Sequence, residues 1–349
     1  MIEISREVFD QQRHPRFGNS NPERMQFAFW EWMIRGDDVL PPAEKGSLED
    51  IGLRMRDGKL KSAYGPYRAR DLFQIPFNRA DGPIWTFDRM GATRSELPDG
   101  RVICIGGEHE DFYDPDFYIY NDVIVLGPDS QIEIYGYPKA AFPPTDFHTA
   151  TVADDRIIII GGLGYRDERR PNDTPVYSLD LCQYQITPLM TSGEMPSWLS
   201  KHEACYEPEG IITVRGGQVI HEHCGQQRLR RNFEDYVLDL GSGVWQRLTN
   251  RNWRQFLIRQ EEGLFILKQR PELGTLLPVN IEHTVVPCED EKGARVILAG
   301  VPVSLRIGVQ YIEILIQGDM REPLAARFAA EICANTEAAI QRKCILEPM

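Results

Sequence analysis

Three stretches of this chain repeat one pattern: Arg101-Val-Ile-Cys-Ile-Gly106-Gly107, Arg156-Ile-Ile-Ile-Ile-Gly161-Gly162 and Ile211-Ile-Thr-Val-Arg-Gly216-Gly217. Consecutive glycine doublets lie 55 residues apart in both intervals. A fixed period of this length indicates one supersecondary unit repeated along the chain. Each apolar run predicts a buried strand, and the doublet predicts a sharp backbone turn where that strand ends.

Every copy contains further strand signals on both sides of its doublet. An alternating segment precedes the apolar run, most clearly at residues 147–152. A third and a fourth strand follow the doublet, at residues 120–126 and 131–135 in the first copy and at 236–240 and 244–248 in the third. The sequence therefore predicts four antiparallel strands per copy, which is the composition of a propeller blade.

The glycine doublet, the aromatic residue and aspartate of the next strand, and Trp245 in the last strand together resemble the Kelch repeat. The match covers residues 84–249, and residues 106–116 also resemble a group of Kelch-like bacterial proteins. The resemblance implies an all-β fold, a Kelch-like β-propeller of four-stranded antiparallel blades. It implies structural roles for both tryptophans and all three doublets: Trp85, Trp245, Gly106, Gly107, Gly161, Gly162, Gly216 and Gly217.

The remaining segments complete a predicted domain plan. Residues 1–83 are expected to form an arm, a helix capped by Asn21 and ending at Gly36, and a belt-like extension. The propeller spans 84–320, with clear repeats at 84–249 and degenerate blades at 250–320, and Trp85 lies in a strand that closes the ring. This gives five blades, or six if residues 40–83 add strands. Residues 321–349 predict a C-terminal helix, and we expect both helices to pack on the propeller.

Composition excludes several classes of function. The net charge of −13 disfavours a nucleic-acid partner, because binding phosphates requires a cationic surface. No apolar run is long enough to cross a membrane, and the N-terminus lacks a secretory signal, so we expect a cytoplasmic location. Seven cysteines without a C-x-x-C pair argue against a disulfide framework. No motif for a nucleotide or other cofactor occurs, and we expect none.

The loops between the second and third strands should lie together with the loops between blades, and we call this end the loop face. Scaffolded loops commonly perform binding. An acidic loop after the first doublet and several aromatic and basic residues of later loops are the candidate binding residues. They are Glu108, His109, Glu110, Asp111, Phe112, Tyr113, Asp114, Asp116, Phe142, Tyr165, Arg169, Trp198 and Arg230.

Histidines provide the candidates for a metal site. His221 and His223 would point to one side of an extended strand, as a zinc site requires, although no third ligand follows at a telling spacing. His148, His202 and His283 occur at equivalent points before the first strands of three predicted blades, which favours a scaffold role. A joint site of these histidines in the propeller channel is the alternative.

Two functions remain open on these observations. The first is a non-catalytic protein-binding propeller that contacts a basic partner protein through its loop face, because aromatic and arginine side chains dominate interface energies. A bacterial toxin-neutralising, immunity-type protein is one concrete form of it. The alternative is an enzyme, or a sugar-binding or metal-binding propeller, with a histidine and carboxylate site at the channel mouth. Because no reaction motif occurs, the sequence favours the first.

Overall fold

The computed structural model describes residues 4–12, 14, 16–38, 54–56, 59–61, 89–109, 117–129, 131–223, 226–262, 271–288, 293–308 and 310–349. These residues form mainly antiparallel β-sheets, which confirms the all-β prediction. The chain divides into two compact units. The first contains Met1–Val219 and Asp235–Arg247, and the second contains Ile220–Glu234 and Leu248–Met349. Within the described ranges, no helix has the length and apolar character needed to cross a membrane.

Each glycine-doublet copy folds into an antiparallel sheet of the first unit, with its four strands in chain order. Repeat 1 consists of Thr93–Glu96, Val102–Ile105, Val123–Leu126 and Ile132–Gly136. Repeat 2 consists of Thr149–Ala153, Arg156–Ile160, Val176–Asp180 and Ile186–Pro188. Repeat 3 consists of Glu203–Glu207, Ile211–Arg215, Tyr236–Asp239 and Val244–Arg247. The four strands predicted for each copy are therefore present.

The three sheets pack face to face, and repeat 2 lies in the middle. Side chains alternate between the two faces of a strand. Ile157 and Ile159 accordingly pack against the core of repeat 1, whereas Ile158 and Ile160 pack against that of repeat 3. This two-sided burial explains why the strand Arg156–Ile160 is apolar without interruption after its first residue.

The segment that leads into each repeat crosses the glycine doublet of the repeat before it. The amide of Gly107 donates to the carbonyl of Thr145 at 2.8 Å, and the amide of Gly162 donates to the carbonyl of Leu199 at 2.9 Å. At Gly161 the backbone has a φ of +65°, and an added Cβ would lie 2.1 Å from the oxygen of Leu199. The doublets therefore allow both a left-handed turn and a close approach between neighbouring repeats.

Two N-terminal helices, Arg6–Gln12 and Ala28–Asp38, cover the outer face of repeat 1. Phe9 and Phe29 meet edge to face at 5.0 Å, and they share a buried cluster with Trp30 and with apolar residues of repeat 1. The second helix begins six residues later than the sequence prediction. Met25 belongs instead to the short strand Glu23–Met25, which pairs with Ile132–Gly136.

Asn21, which the sequence predicted as a helix cap, binds the edge of repeat 2. Its side-chain amide donates to the carbonyl of Ile186 at 2.6 Å, and its side-chain oxygen accepts from the amide of Ile186 at 3.0 Å. These hydrogen bonds to Asn21 thus occupy backbone groups of the edge strand that could otherwise pair with a strand of another molecule. In repeat 3 the outer strand is Val244–Arg247, and the short strand Ser192–Gly193 pairs with it in parallel.

The second unit is built differently from the repeats. Its strands Thr284–Val286, Gly293–Leu298, Val301–Ile307, Ile312–Gln317, Trp253–Gln260 and Cys344–Pro348 form one six-stranded sheet in that spatial order. Helix Glu322–Ile340 packs on this sheet through Phe328, Ala329 and Ile332, and a short helix, Leu273–Leu276, joins the same core. Strand Gln226–Arg231 also belongs to this unit.

Residues 250–320 were expected to form two degenerate four-stranded blades, and the single sheet differs from that expectation. The C-terminal strand Cys344–Pro348 pairs with Trp253–Gln260, and Ile312–Gln317 pairs with the opposite edge of that strand. Trp253–Gln260 is therefore an inner strand, which cannot begin a separate blade. The predicted C-terminal helix is confirmed as Glu322–Ile340.

Other predictions fall on short or undescribed segments. The strand predicted around Trp85 lies outside the described residues. Within 40–83 the structure describes only a hairpin of strands Arg54–Arg56 and Lys59–Lys61.

Candidate functional site

Leu163 and Gly164, directly after the second glycine doublet, form the point on which several predicted binding residues converge. We call these two residues the 163–164 segment. The carbonyl of Leu163 accepts hydrogen bonds from Arg169 Nε at 2.9 Å and from Trp198 Nε1 at 3.2 Å. The carbonyl of Gly164 accepts from Arg169 Nη2 at 3.0 Å. Two loops that are separate in the sequence are thereby joined through main-chain oxygens.

Tyr165 continues this surface toward repeat 1. Its hydroxyl accepts a hydrogen bond from the amide of Ile119 at 3.0 Å, and its ring meets Phe117 edge to face at 6.0 Å. Ile119 in turn pairs with Glu108 in a short antiparallel ladder. The rings of Tyr165 and Trp198 are both half-buried, and each has one hydrogen bond that restricts its rotation.

Asp146 fixes the 163–164 segment through hydrogen bonds to its backbone amides. Its main-chain oxygen accepts from the amide of Leu163 at 2.7 Å, and its Oδ1 accepts from the amide of Gly164 at 2.6 Å. The residue is completely buried, and its Oδ2 has no hydrogen-bond donor among the described residues. Burial raises the pKa of this carboxyl, although the Gly164 amide, Glu108 and Arg169 act in the opposite direction.

Glu108 is the one member of the predicted acidic loop whose side chain the structure describes. It is half-buried, and it lowers the pKa of Asp146 against the effect of burial. Arg169 is also half-buried next to Asp146, and burial lowers its pKa while the carboxylate raises it.

Of the other predicted loop-face residues, Phe142 does not join this group. Phe142 is completely buried, and its ring packs edge to face between Tyr137 at 5.8 Å and Tyr177 at 5.3 Å, so it is a core residue. Arg230 belongs to the second unit, in strand Gln226–Arg231. His109 lies in a short strand, but its side chain is outside the described residues, as are Glu110, Asp111, Phe112, Tyr113, Asp114 and Asp116.

His148 and His202 occupy equivalent positions and make equivalent contacts. The Nε2 of His148 lies 2.9 Å from Thr93 Oγ1 in the first strand of repeat 1, and that of His202 lies 2.9 Å from Thr149 Oγ1 in the first strand of repeat 2. Each imidazole therefore links its own repeat to the preceding one. This arrangement agrees with the predicted scaffold role.

Lowering the pH is expected to destabilise the first unit through these histidines. Burial lowers the pKa of His148 to about 3, with a contribution from His202, and burial lowers that of His202 to about 4. Unfolded histidine titrates near pH ~6.5, so the unfolded chain binds more protons than the folded one below that pH. Stability should therefore fall by about 1.4 kcal/mol per pH unit for each histidine between about pH 6.5 and pH 4.

Thermal unfolding measured from about pH 7 down to about pH 5 tests this expectation. A variant with His148→Gln and His202→Gln should show a shallower dependence of the unfolding temperature on pH than the wild type, because it lacks the two buried imidazoles. Equal slopes for the two proteins would mean that the imidazoles are not held neutral.

His283 does not extend this pair. His283 lies in the second unit, where its Nδ1 is 2.8 Å from the carbonyl of Ile281 and its ring meets Phe328 at 6.3 Å, so the predicted equivalence with His148 and His202 is wrong. His221 and His223 fall in strand Gln218–His223, and the side chain of His223 is outside the described residues. Among the described residues, no group of three or more histidine, cysteine or acidic side chains could hold a metal ion.

Asp146 is the site residue that sequence reasoning missed. The sequence does contain a signal for it, because the equivalent position before repeat 3 is Ser200. The residue at this position therefore changes from acidic to neutral between the two repeats. Departure from a repeated pattern is a mark of a specialised position, and an acidic residue in a buried segment requires a partner.

No model of a known protein family matches this sequence, and no curated protein matches it either. The similarity to the Kelch repeat therefore stands on the repeated residues themselves.

Proposed function

We propose that this protein is a non-catalytic binding protein that recognises another protein through the surface around the 163–164 segment. The observation that carries the proposal is that Arg169 and Trp198 both bind that segment, with Tyr165 next to it in the chain. Tyrosine, tryptophan and arginine are the residue types that contribute most to interface energies. Rings that are already held in place lose little conformational entropy on binding.

The repeats supply the rigid base that such a surface needs. We propose that they are Kelch-like propeller blades, with the glycine doublets and the two histidines as structural elements of their packing. A ring nitrogen of His148 and one of His202 each bind a threonine hydroxyl inside this packing. This favours a scaffold role for the two histidines over a catalytic role in a channel.

Charge supports a basic partner. Basic and acidic residues balance in the second unit, so the net charge of −13 belongs to the first unit. An acidic surface attracts a basic protein over a distance and raises its association rate. In its most specific form, the proposal is a toxin-neutralising protein of the bacterial cytoplasm with a basic toxin as its partner. The acidic loop at residues 108–116 remains a predicted part of the binding surface.

Replacing Trp198 with alanine is expected to weaken binding to the partner by about 2 kcal/mol or more, mainly through faster dissociation. The partner would be captured from a lysate of the source cell with the wild-type protein, identified, purified and measured by surface plasmon resonance. Met190→Ala is the matched control, because Met190 is 90% exposed in the first unit.

The proposal fails if the captured partner dissociates from Trp198→Ala and from the wild type at the same rate. It also fails if no partner is retained by the wild type and lost by the variant.

A further inference from the structure

One face of the six-stranded sheet in the second unit is polar, whereas the other face packs against the long helix. Glu313 and Glu347 both lie opposite the buried Leu257, one on each neighbouring strand. The residues that flank Glu313 in its strand, Ile312 and Ile314, belong to the core shared with the helix. Because side chains alternate between the two faces of a strand, Glu313, Leu257 and Glu347 form a row across the other face.

The strand that contains Arg228 and Arg231 contacts this row, and each of the two arginines pairs with one glutamate. Arg231 Nη2 lies 2.8 Å from Glu313 Oε2. Arg228 Nη2 lies 3.4 Å from Glu347 Oε1. The chain between the two arginines therefore extends from one glutamate toward the other, and Arg230 lies within this span.

Gln255 fixes this strand on the sheet. Its side chain is buried, and its Oε1 accepts a hydrogen bond from the amide of Arg231 at 3.2 Å. Its Nε2 donates to Glu313 Oε1 at 2.7 Å. The arginines thus extend from a strand whose position is already set, so little conformational entropy is lost when they bind a ligand.

Glu347 is shared by two arginines. Its Oε2 lies 3.3 Å from Arg259 Nε, while its Oε1 is the oxygen near Arg228. The contact with Arg259 lacks hydrogen-bond geometry, since Arg259 Nε and Glu347 Oε2 are both buried and neither has a hydrogen-bond partner among the described residues. One carboxylate balances one guanidinium charge, so a second positive charge remains at Glu347.

Arg230 adds another positive charge to this layer. Its Nε is buried and has no acceptor within the described ranges, and the ion pairs of the strand are made by its neighbours Arg228 and Arg231. Arg228 and Arg230 are two residues apart in an extended strand and therefore lie on the same side of it. A buried N–H donor without an acceptor is costly, and Arg230 and Arg259 each have one.

We propose that Arg228, Arg230 and Arg259 bind the phosphate group of a small phosphate monoester. Such a group carries a charge of about −1.5 to −2 at pH 7 and has three acceptor oxygens, which matches two positive charges without carboxylate partners. Guanidinium groups bind phosphate through pairs of parallel N–H···O bonds. The side chains of Arg228 and Arg259 are partly exposed, so a ligand can reach them.

This site is independent of the proposed protein-binding surface. Its three arginines belong to the second unit, whereas the 163–164 segment belongs to the first. Arg230, which the sequence placed on the loop face, therefore receives a different ligand here. A carboxylate ligand would supply only one negative charge, which is why a dianionic group fits better.

The direct test is isothermal titration calorimetry of the full-length protein with glycerol 3-phosphate. The titration is run at about pH 7.5, where the monoester is largely dianionic. Sodium acetate at matched ionic strength is the monoanionic control, and glycerol is the uncharged control. We expect saturable binding of glycerol 3-phosphate, binding of acetate that is weaker by about tenfold or more, and no binding of glycerol.

Two substitutions of Arg230 test its part in the site. Arg230→Met should weaken binding of glycerol 3-phosphate by about tenfold or more, because it removes a charged donor. Arg230→Lys keeps the charge but lacks the Nε donor and the planar fork, so its affinity should lie between those of Arg230→Met and the wild type.

Arg327→Met is the matched control for the loss of one positive charge. Arg327 lies in the same unit, on the helix, where its exposed side chain pairs with Glu331 at 3.2 Å. This variant should bind glycerol 3-phosphate as the wild type does. Thermal unfolding without ligand checks that every variant is folded, and saturating ligand should raise the unfolding temperature of the wild type more than that of Arg230→Met.

Three results would overturn the inference. One is the absence of saturable binding of glycerol 3-phosphate by the wild type. Another is equal affinity of Arg230→Met, or of Arg230→Lys, and the wild type for this probe. The third is acetate binding as tight as that of the phosphate ester, which would make the arginines a site for single carboxylates.

Discussion

Gly161→Ala is expected to lower the free energy of unfolding of the first unit by about 3 kcal/mol or more. Two costs add at this position. The residue has a φ of +65°, where a side chain costs about 1–2 kcal/mol. An added Cβ would also lie 2.1 Å from the carbonyl oxygen of Leu199. That oxygen accepts the hydrogen bond from Gly162, so it cannot withdraw without breaking the junction between repeats 2 and 3.

Gly216→Ala provides the matched comparison. Gly216 is the equivalent glycine of repeat 3 and has nearly the same φ, +64°, but among the described residues an added Cβ would meet no atom within 4 Å. We therefore expect a loss of only about 1–2 kcal/mol, the backbone cost alone. Chemical unfolding followed by far-UV circular dichroism compares the variants. Equal losses would show that the close approach to Leu199 is not a determinant of stability.

Removing the guanidinium of Arg89 is expected to cost about 3–5 kcal/mol, because a buried carboxylate would then lack its partner. Arg89 and Asp122 form a two-pronged ion pair, in which Nη2 and Oδ2 are 3.0 Å apart. Their side chains are only 3% and 5% exposed. The guanidinium also donates to the carbonyl of Gly106 at 3.2 Å and lies 3.5 Å from the ring centroid of Tyr120.

The test is Arg89→Met, which keeps an unbranched apolar side chain of similar length. Arg6→Met is the control, since Arg6 pairs with Asp10 at 3.6 Å with side chains 64% and 51% exposed, and this change should cost about 0–1 kcal/mol. Adding Asp122→Leu to Arg89→Met should restore part of the stability, because neither charge of the buried pair then remains. A double variant less stable than Arg89→Met alone would rule out the unpaired carboxylate as the cause.

Side-chain burial was the feature that local patterns predicted least well. Phe142 and Trp198 both lie in loops between strands, and the sequence placed both on the loop face. The structure buries the ring of Phe142 between Tyr137 and Tyr177, while the indole of Trp198 stays half-buried and binds Leu163. The burial of an aromatic ring depends on the residues that pack against it from other strands. The local sequence of a loop does not specify those residues.

The sequence by itself determined the three repeats, their four strands and the glycine doublets, because strand alternation and turn conformation depend on residues close together in the chain. Only the tertiary structure decided that residues 250–320 join one six-stranded sheet, since a strand's neighbours are chosen among distant segments. Only the tertiary structure brought Asp146 and Trp198 to the 163–164 segment. Their contacts run between loops of different repeats, and the packing of whole sheets sets those distances.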